Sequence, residues 1–289
     1  MTGAPESSLT EVQRGTVGAW QCDSNGHWNA RYYCNQFDLA ARVAANLGGA
    51  AMSAPPPVWR HLRFHAELLG GDIFRIETGR IVDGTHAGSL VHMMYHAGVG
   101  KLIATALDAP CDAGQQAAVA PVSGQQAQAA LPRSVANEQA PVIDRQQMLD
   151  SGAFVTGRYW VQPVHCTPDK TLSELELAGI FADAAGHVWD RAGAGVVWLR
   201  ENGLGRAAVE FRIERQAQAR LGDLLVLMSR VGPVQGKAIR LQHQLYRLPD
   251  HEPIAGAEVV AMLIDMGTRR SVPMPDFLDP AAAGGTHGA

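Results

Sequence analysis

The second half of this 289-residue chain repeats landmarks of the first half, and that repetition limits its architecture more than any other feature. Cys22 corresponds to Cys166, 144 residues later, and the same step carries Phe37 to Phe181 and Ala40-Ala41 to Ala184-Ala185. Gly71-Asp72 corresponds to Gly222-Asp223 at a step of 151, and Asp108 to Asp265 at a step of 157. A rising step implies a few residues inserted into loops of the second half, where insertions are tolerated. The chain therefore reads as two similar units in tandem.

Each unit is organised around one helix. In the first, Tyr33, Phe37, Ala40, Ala41, Ala44 and Leu47 recur at helical spacing over 30–47, with Asn29 as N-cap and Gly48-Gly49 as the stop. A strand over 13–22 precedes this helix, and the proline-rich stretch 52–57 follows as a non-helical connector. From His61 to Leu68 the residues alternate strictly. Leu62, Phe64, Ala66 and Leu68 take one face and His61, Arg63, His65 and Glu67 the other, which predicts a half-buried strand. A Gly-Asp turn at 71–72, a strand over 73–82 and a hairpin of 89–96 with 101–108 complete the unit. One helix followed by four antiparallel strands is an α+β unit, a sheet able to wrap a helix.

The second helix keeps its apolar face in Leu177, Phe181, Ala184 and Val188, and Thr171 to Glu174 offers a capping box. The expected boundaries are 1–110 for the first unit and 111–152 for a linker dominated by Ala, Gln, Pro and Ser. A second, degenerate unit follows over 153–280, then a disordered tail over 281–289.

Composition narrows the function classes. A net charge of −4 and a pI near 6.2 give no support for a nucleic-acid partner. No stretch approaches 18 consecutive apolar residues and the first fifteen residues lack an apolar run, so a secreted or membrane-spanning protein is not expected. Cys22, Cys34, Cys111 and Cys166 lack zinc-like spacing and read as reduced thiols of a cytoplasmic protein. His61, His65, His92 and His96 lack a compact zinc motif, so no metal is expected.

The chemistry concentrates before the first helix. Asp23-Ser24-Asn25-Gly26-His27-Trp28-Asn29 is a polar loop running into a helix start, where free N–H groups can hold a developing oxyanion. An aspartate a few residues upstream can act as base or nucleophile on the same carbonyl. Asp23 also suits a turn, and Asn29 suits a helix cap better than a catalyst. The second copy loses this loop: Asp23 becomes Thr167, Gly26 becomes Lys170, His27 becomes Thr171 and Asn29 becomes Ser173. Asp169 lies two positions from the aspartate's counterpart, behind Pro168.

The order Asp23-Ser-Asn-Gly-His27-x-Asn29-x-x-Tyr32-Tyr33, then Phe37 and Ala40-Ala41, resembles the first loop and central helix of hotdog-fold acyl-CoA thioesterases of the 4-hydroxybenzoyl-CoA type. The resemblance implies two tandem hotdog units, reproducing the common homodimer of that fold in one chain. It implies that Asp23 attacks the thioester or activates water, and that the helix-start amide near Ala30 binds the carbonyl oxygen. One active site per chain is then expected, at the junction of the halves. His27 either orients Asp23, binds the acyl group or packs the loop, and Asn25 positions water. Tyr32 belongs to the same constellation, while His65 and Glu67 either line a pocket or form a solvated strand face. Met93, Met94 and Tyr95 serve the core or an acyl pocket. Arg31, Lys101, Lys237 and Arg269 are candidates for the phosphates of coenzyme A, which is part of the substrate, and no separate cofactor is expected. Self-association into a homo-oligomer is left open. The competing readings are a hotdog enoyl-CoA hydratase or dehydratase and a non-catalytic acyl-CoA-binding protein. The three-residue gap between Asp23 and His27 disfavours the hydratase, whose motif resembles Asp-x-x-x-x-His.

Overall fold

The structure, a computed structural model, describes residues 9–23, 25–49, 56–110, 118–135 and 143–279. The chain divides into two units, Met1–Arg133 and Ser134–Ala289. Residues 1–8, Ser24, 50–55, 111–117, 136–142 and the tail expected over 281–289 lie outside the described residues.

The first unit runs β1 (Thr10–Thr16), α1 (Ala30–Leu47), β2 (Trp59–Phe64), β3 (Ile73–Ile81), β4 (Leu90–His96), β5 (Leu102–Asp108) and β6 (Ala120–Val122). Five strands pair antiparallel in the order β1-β3-β4-β5-β2, and β6 pairs parallel with the end of β3. α1 packs one face of this sheet because Tyr33, Phe37, Ala40 and Ala44 form a single buried stripe. Ala44 meets Leu90, and the Phe37 ring lies 6.0 Å from that of His92. Asn29 caps the helix as expected, its Oδ1 accepting from Arg31 N at 3.1 Å, and Gly49 closes it at φ +79°.

Four expectations for the first unit need correction. The strand predicted over 13–22 stops at Thr16 and gives way to a 3-10 turn, Ala19–Gln21. The alternating strand ends at Phe64, because His65 N and Ala66 N both donate to Ile103 O, at 2.8 and 3.0 Å, and break the ladder. Its expected solvent face is covered at one end only: His61 is fully buried, while His65 and Glu67 remain exposed. The cover is the segment predicted to be a linker. Val122, Ala127 and Ala130 pack on Ile81, Val91, Met93 and Leu107, and Arg63 Nη1 donates to the carbonyls of Ala129 and Leu131. A sheet with two apolar faces needs a lid on each, so a segment without periodicity of its own becomes ordered by burial.

The second unit runs α2 (Arg145–Asp150), β7 (Phe154–Trp160), α3 (Glu174–Arg191), α4 (Val196–Glu201), β8 (Leu204–Arg215), β9 (Leu224–Gln235), β10 (Ala238–Leu248), β11 (Glu252–Asp265) and β12 (Arg270–Val272). Its antiparallel order, β7-β9-β10-β11-β8 with β12 on β11, repeats that of the first unit strand for strand. α2 too falls within the predicted linker, where Met148 packs on Val226, Met228 and Tyr246. Leu177, Phe181, Ala184 and Val188 are buried as expected. The cap is Ser173, accepting from Glu176 N at 3.3 Å, rather than a box begun by Thr171.

Each unit is thus an antiparallel sheet wrapped on one 18-residue helix, the hotdog arrangement, in tandem. The Gly-Asp turns coincide in detail. Gly71 and Gly222 sit at φ +93° and +91°, and Asp72 and Asp223 each accept, through Oδ2, the amide three residues before them at 2.8 Å. The match of Asp108 to Asp265 fails. His92 pairs across the ladder with Ala106, and His243, 151 residues later, with Ala257, which makes Val259 the counterpart of Asp108. The extra residues lie beyond that point, at the end of β11.

Candidate active site

The loop before α1 is built from the backbone outward. Asp23 N donates to His27 O at 2.8 Å and Gly26 N to Asp23 O at 3.0 Å, a tight turn that needs Gly26 at φ +77°. Asp23 Oδ1 accepts from Asn25 N at 2.8 Å and from His27 N at 3.0 Å, so the turn reading of this aspartate is realised. Oδ2 stands outside these bonds, on an exposed residue. Trp28 then anchors the loop: it is almost fully buried, its Nε1 donates to Gln21 Oε1 at 3.0 Å, and its ring packs at a tilt on those of Tyr33 and Phe74. Trp28 N bonds Leu68 O and Asn29 N bonds Gln21 O, at 2.9 and 3.0 Å, tying the helix start to both flanking segments.

At the helix start Asn29 takes up the amides of Arg31, through Oδ1, and Tyr32, through its carbonyl. The amide of Ala30, the first helical residue, lies outside both bonds and has no intrahelical acceptor. With the positive end of the helix dipole behind it, this N–H suits a carbonyl oxygen gaining negative charge.

Two further expected residues meet the loop. Glu67 Oε2 lies 3.3 Å from His27 Nε2, because His27 bridges to Leu69 on the segment after β2. The Tyr32 ring runs parallel to that of Trp28 at 6.4 Å. His65 makes a different contact: its Nε2 lies 3.3 Å from Thr105 Oγ1, beside the covering segment. Burial, then the nearby Arg63, pushes this imidazole below its ordinary value. Met94 is core, Met93 belongs to the covered outer cluster, and Tyr95 packs against that cluster under the Arg75 guanidinium. Lys237 Nζ is tied to Ser271 O at 2.8 Å, whereas Arg31 stands in the first turn of α1. The four histidines disperse, and among the described residues no three His, Cys, Asp or Glu side chains are grouped to hold a metal ion.

The second unit keeps the scaffold of this loop and changes its chemistry. Thr167 N bonds Thr171 O and Lys170 N bonds Thr167 O, each at 2.9 Å, with Lys170 at φ +64° where the first loop has Gly26. Asp169 is held by the hydroxyls of Thr167 and Thr171, and the Thr167 bond draws its carboxyl below the usual range despite its exposure. The first residue of α3 is Glu174, buried and paired with Arg215. A carboxylate thus stands where α1 has Ala30.

Sequence reasoning passed over Trp28 and the buried pair Arg60–Asp108, whose side chains meet at 2.6 Å through two hydrogen bonds. Trp28 carried a signal, an aromatic between His27 and Asn29. Arg60 carried none, since its partner lies 48 residues away.

The fold is that of two hotdog units in tandem. Residues 172–281 match the family model of the thioesterase-like superfamily, so that signature lies in the second unit. Solved structures agree over nearly the whole chain. A protein assigned as an oleoyl thioesterase from Lactobacillus plantarum superposes with a TM-score of 0.60 at 10% identity, covering 89% of this chain and 97% of its own. An acyl-ACP thioesterase from Bacteroides thetaiotaomicron gives 0.59 at 11%, covering 90% and 100%. The 12:0-ACP thioesterase from Umbellularia californica gives 0.57 at 11%, covering 89% and 95%. At such identities the likeness is one of fold. A search of curated proteins by sequence found no match. No helix among the described residues is long and apolar enough to cross a membrane.

Proposed function

We propose that the chain hydrolyses an acyl thioester, an acyl-CoA or an acyl group on a carrier protein, to the free acid and the thiol. The observation that supports this reading is the Asp23 loop, whose turn takes up one carboxylate oxygen and runs on into the start of α1 at Ala30. The superfamily match in the second unit and the fold shared with acyl-ACP thioesterases support it.

In the proposed step Asp23 takes a proton from water as the water oxygen attacks the thioester carbonyl, or attacks that carbon itself to form a mixed anhydride that water then hydrolyses to the free acid. Negative charge passes to the carbonyl oxygen, which accepts from the Ala30 N–H at the positive end of α1. The C–S bond then breaks and the departing thiolate takes up a proton. Asn29 fixes the helix start and Asn25 positions the water. His27, held beside Glu67, orients Asp23 or binds the acyl group. The step requires no cofactor, because the pantetheine arm belongs to the substrate.

The test is thiol release from a panel of acyl-CoA and acyl-carrier thioesters, run beside hydration of crotonyl-CoA and equilibrium binding of an acyl-CoA. Thiol release that Asp23→Asn abolishes is the expected result. Hydration without thiol release, or binding without turnover, would overturn the reading.

A further inference from the structure

The first unit buries a chain of charges at positions where the second has apolar residues; the second ties its helix to its sheet elsewhere, through Glu174 and Arg215. Arg60, fully buried on β2, donates through Nε and Nη2 to the two carboxylate oxygens of Asp108 on β5, each at 2.6 Å. Asp108 Oδ2 also lies 3.3 Å from His92 Nε2, and His92 Nδ1 lies 2.8 Å from Thr78 Oγ1. Burial alone would push the Asp108 carboxyl up, but the Arg60 charge and hydrogen bonds, with His92 adding, hold it well below the usual carboxylate range. The network reaches the helix at two points: Arg60 Nη1 donates to Cys34 O at 3.3 Å, and the His92 ring packs on Phe37. Cys34 stands one turn behind Ala30.

The second unit keeps half of this. Ser229 Oγ lies 2.7 Å from His243 Nδ1, and His243 packs on Phe181 at 6.0 Å, matching Thr78, His92 and Phe37. The ladder pairs Arg60 with Asp108 and, 151 residues later, Phe211 with Val259, both buried. The same fold therefore closes over an apolar pair where the first unit has two charges. A buried ion pair is commonly no more stabilising than well-packed apolar side chains of similar volume, so stability alone does not account for it.

We infer that Arg60 and Asp108 are positioning residues for the Asp23 loop: the network clamps the second turn of α1 to the sheet and so fixes where the Ala30 amide points. This deepens the thioesterase reading and rests on it for its kinetic consequence. A rigid ionic anchor with fixed hydrogen-bond directions holds a helix along its axis, whereas an apolar contact tolerates sliding. Small displacements of an oxyanion donor cost rate more than binding.

The test borrows the second unit's solution, the double variant Arg60→Phe with Asp108→Val. Its expected result is a folded protein with a melting temperature near or above the parent's, KM within about threefold, and kcat lowered at least about tenfold. Asp108→Asn, which keeps shape and loses charge, is expected to lower kcat less, again at unchanged KM. Hydrogen exchange read on residues 28–37 is expected to quicken in the double variant, whether or not a substrate has been found. Parental kcat in a folded double variant, or unchanged exchange over 28–37, overturns the inference. A double variant that fails to fold overturns it as well, since the network would then be a stability device. A parent that hydrolyses no thioester overturns the thioesterase reading instead and leaves the exchange measurement to decide the clamp.

Discussion

Ala30 and Glu174 open two helices of 18 residues each, 144 residues apart, and only the second is a carboxylate, buried in an ion pair with Arg215. Both helices are capped, by Asn29 and Ser173, and both loops make the same backbone hydrogen bonds. The two helix starts are therefore alike in geometry and different in charge: α1 begins with an uncharged residue, and α3 with a carboxylate held by Arg215.

That difference predicts an asymmetry in mutants. Asp23→Asn is expected to leave folding intact and lower kcat at least about 100-fold, the scale of losing a proton-transfer or nucleophilic group. Thr167→Ala and Asp169→Ala, in the loop before Glu174, are expected to leave kcat within about twofold. Steady-state kinetics on the best thioester decides, and a severe loss in Asp169→Ala would make the second loop a working site.

The contact between His27 and Glu67 at 3.3 Å separates two residues of the same predicted strand face. Glu67→Gln is expected to lower kcat several-fold by loosening His27, while His65→Gln, whose ring faces Thr105, is expected to change little. Equal losses from the two substitutions would show that the shared face, not the contact with His27, is what matters.

His243 gives the second unit a dependence on pH. Burial lowers its pKa to about 4, so the folded chain keeps it neutral while the unfolded chain protonates it below about 6.5. The unfolded state binds more protons between these values, so stability rises with pH across that window and falls as pH drops through it. Over the full window the group contributes about 3 kcal/mol, one pKa unit being about 1.4. In His243→Phe, which leaves Ser229 its bond to Thr156, urea unfolding at pH 4.5 and 6.5 is expected to show a slope smaller by about one proton. An unchanged slope would place the titration elsewhere.

Lys170 occupies a left-handed conformation at φ +64°, where the first loop has glycine. Lys170→Gly is expected to stabilise by up to about 1 kcal/mol, relief of the left-handed strain outweighing the entropy gained by the unfolded chain. Gly26→Val is expected to destabilise the first unit by more than that, at a position with no neighbour within 4 Å, so that backbone strain alone acts. Melting temperatures of both variants measure the effect, and opposite signs would refute it.

Much of this molecule is legible along the chain because it is local chemistry. The Asn29 cap, the Gly48-Gly49 stop, the apolar stripes of α1 and α3, and the Gly-Asp turns each depend on residues a few positions apart. The tandem repeat follows from those signals occurring twice. Strand ends were less legible: β2 stops at Phe64 because Ile103, far along the chain, receives two amides. The segment 118–135 carried no periodic signal, since the sheet face that orders it supplies most of the apolar surface. The equivalence of Asp108 and Val259, and the pairing of Arg60 with Asp108, depended on register between strands. Sequence determines which residues a strand offers to each face, but a shift of register changes every partner, and only the closed ladder decides which buried charge meets which.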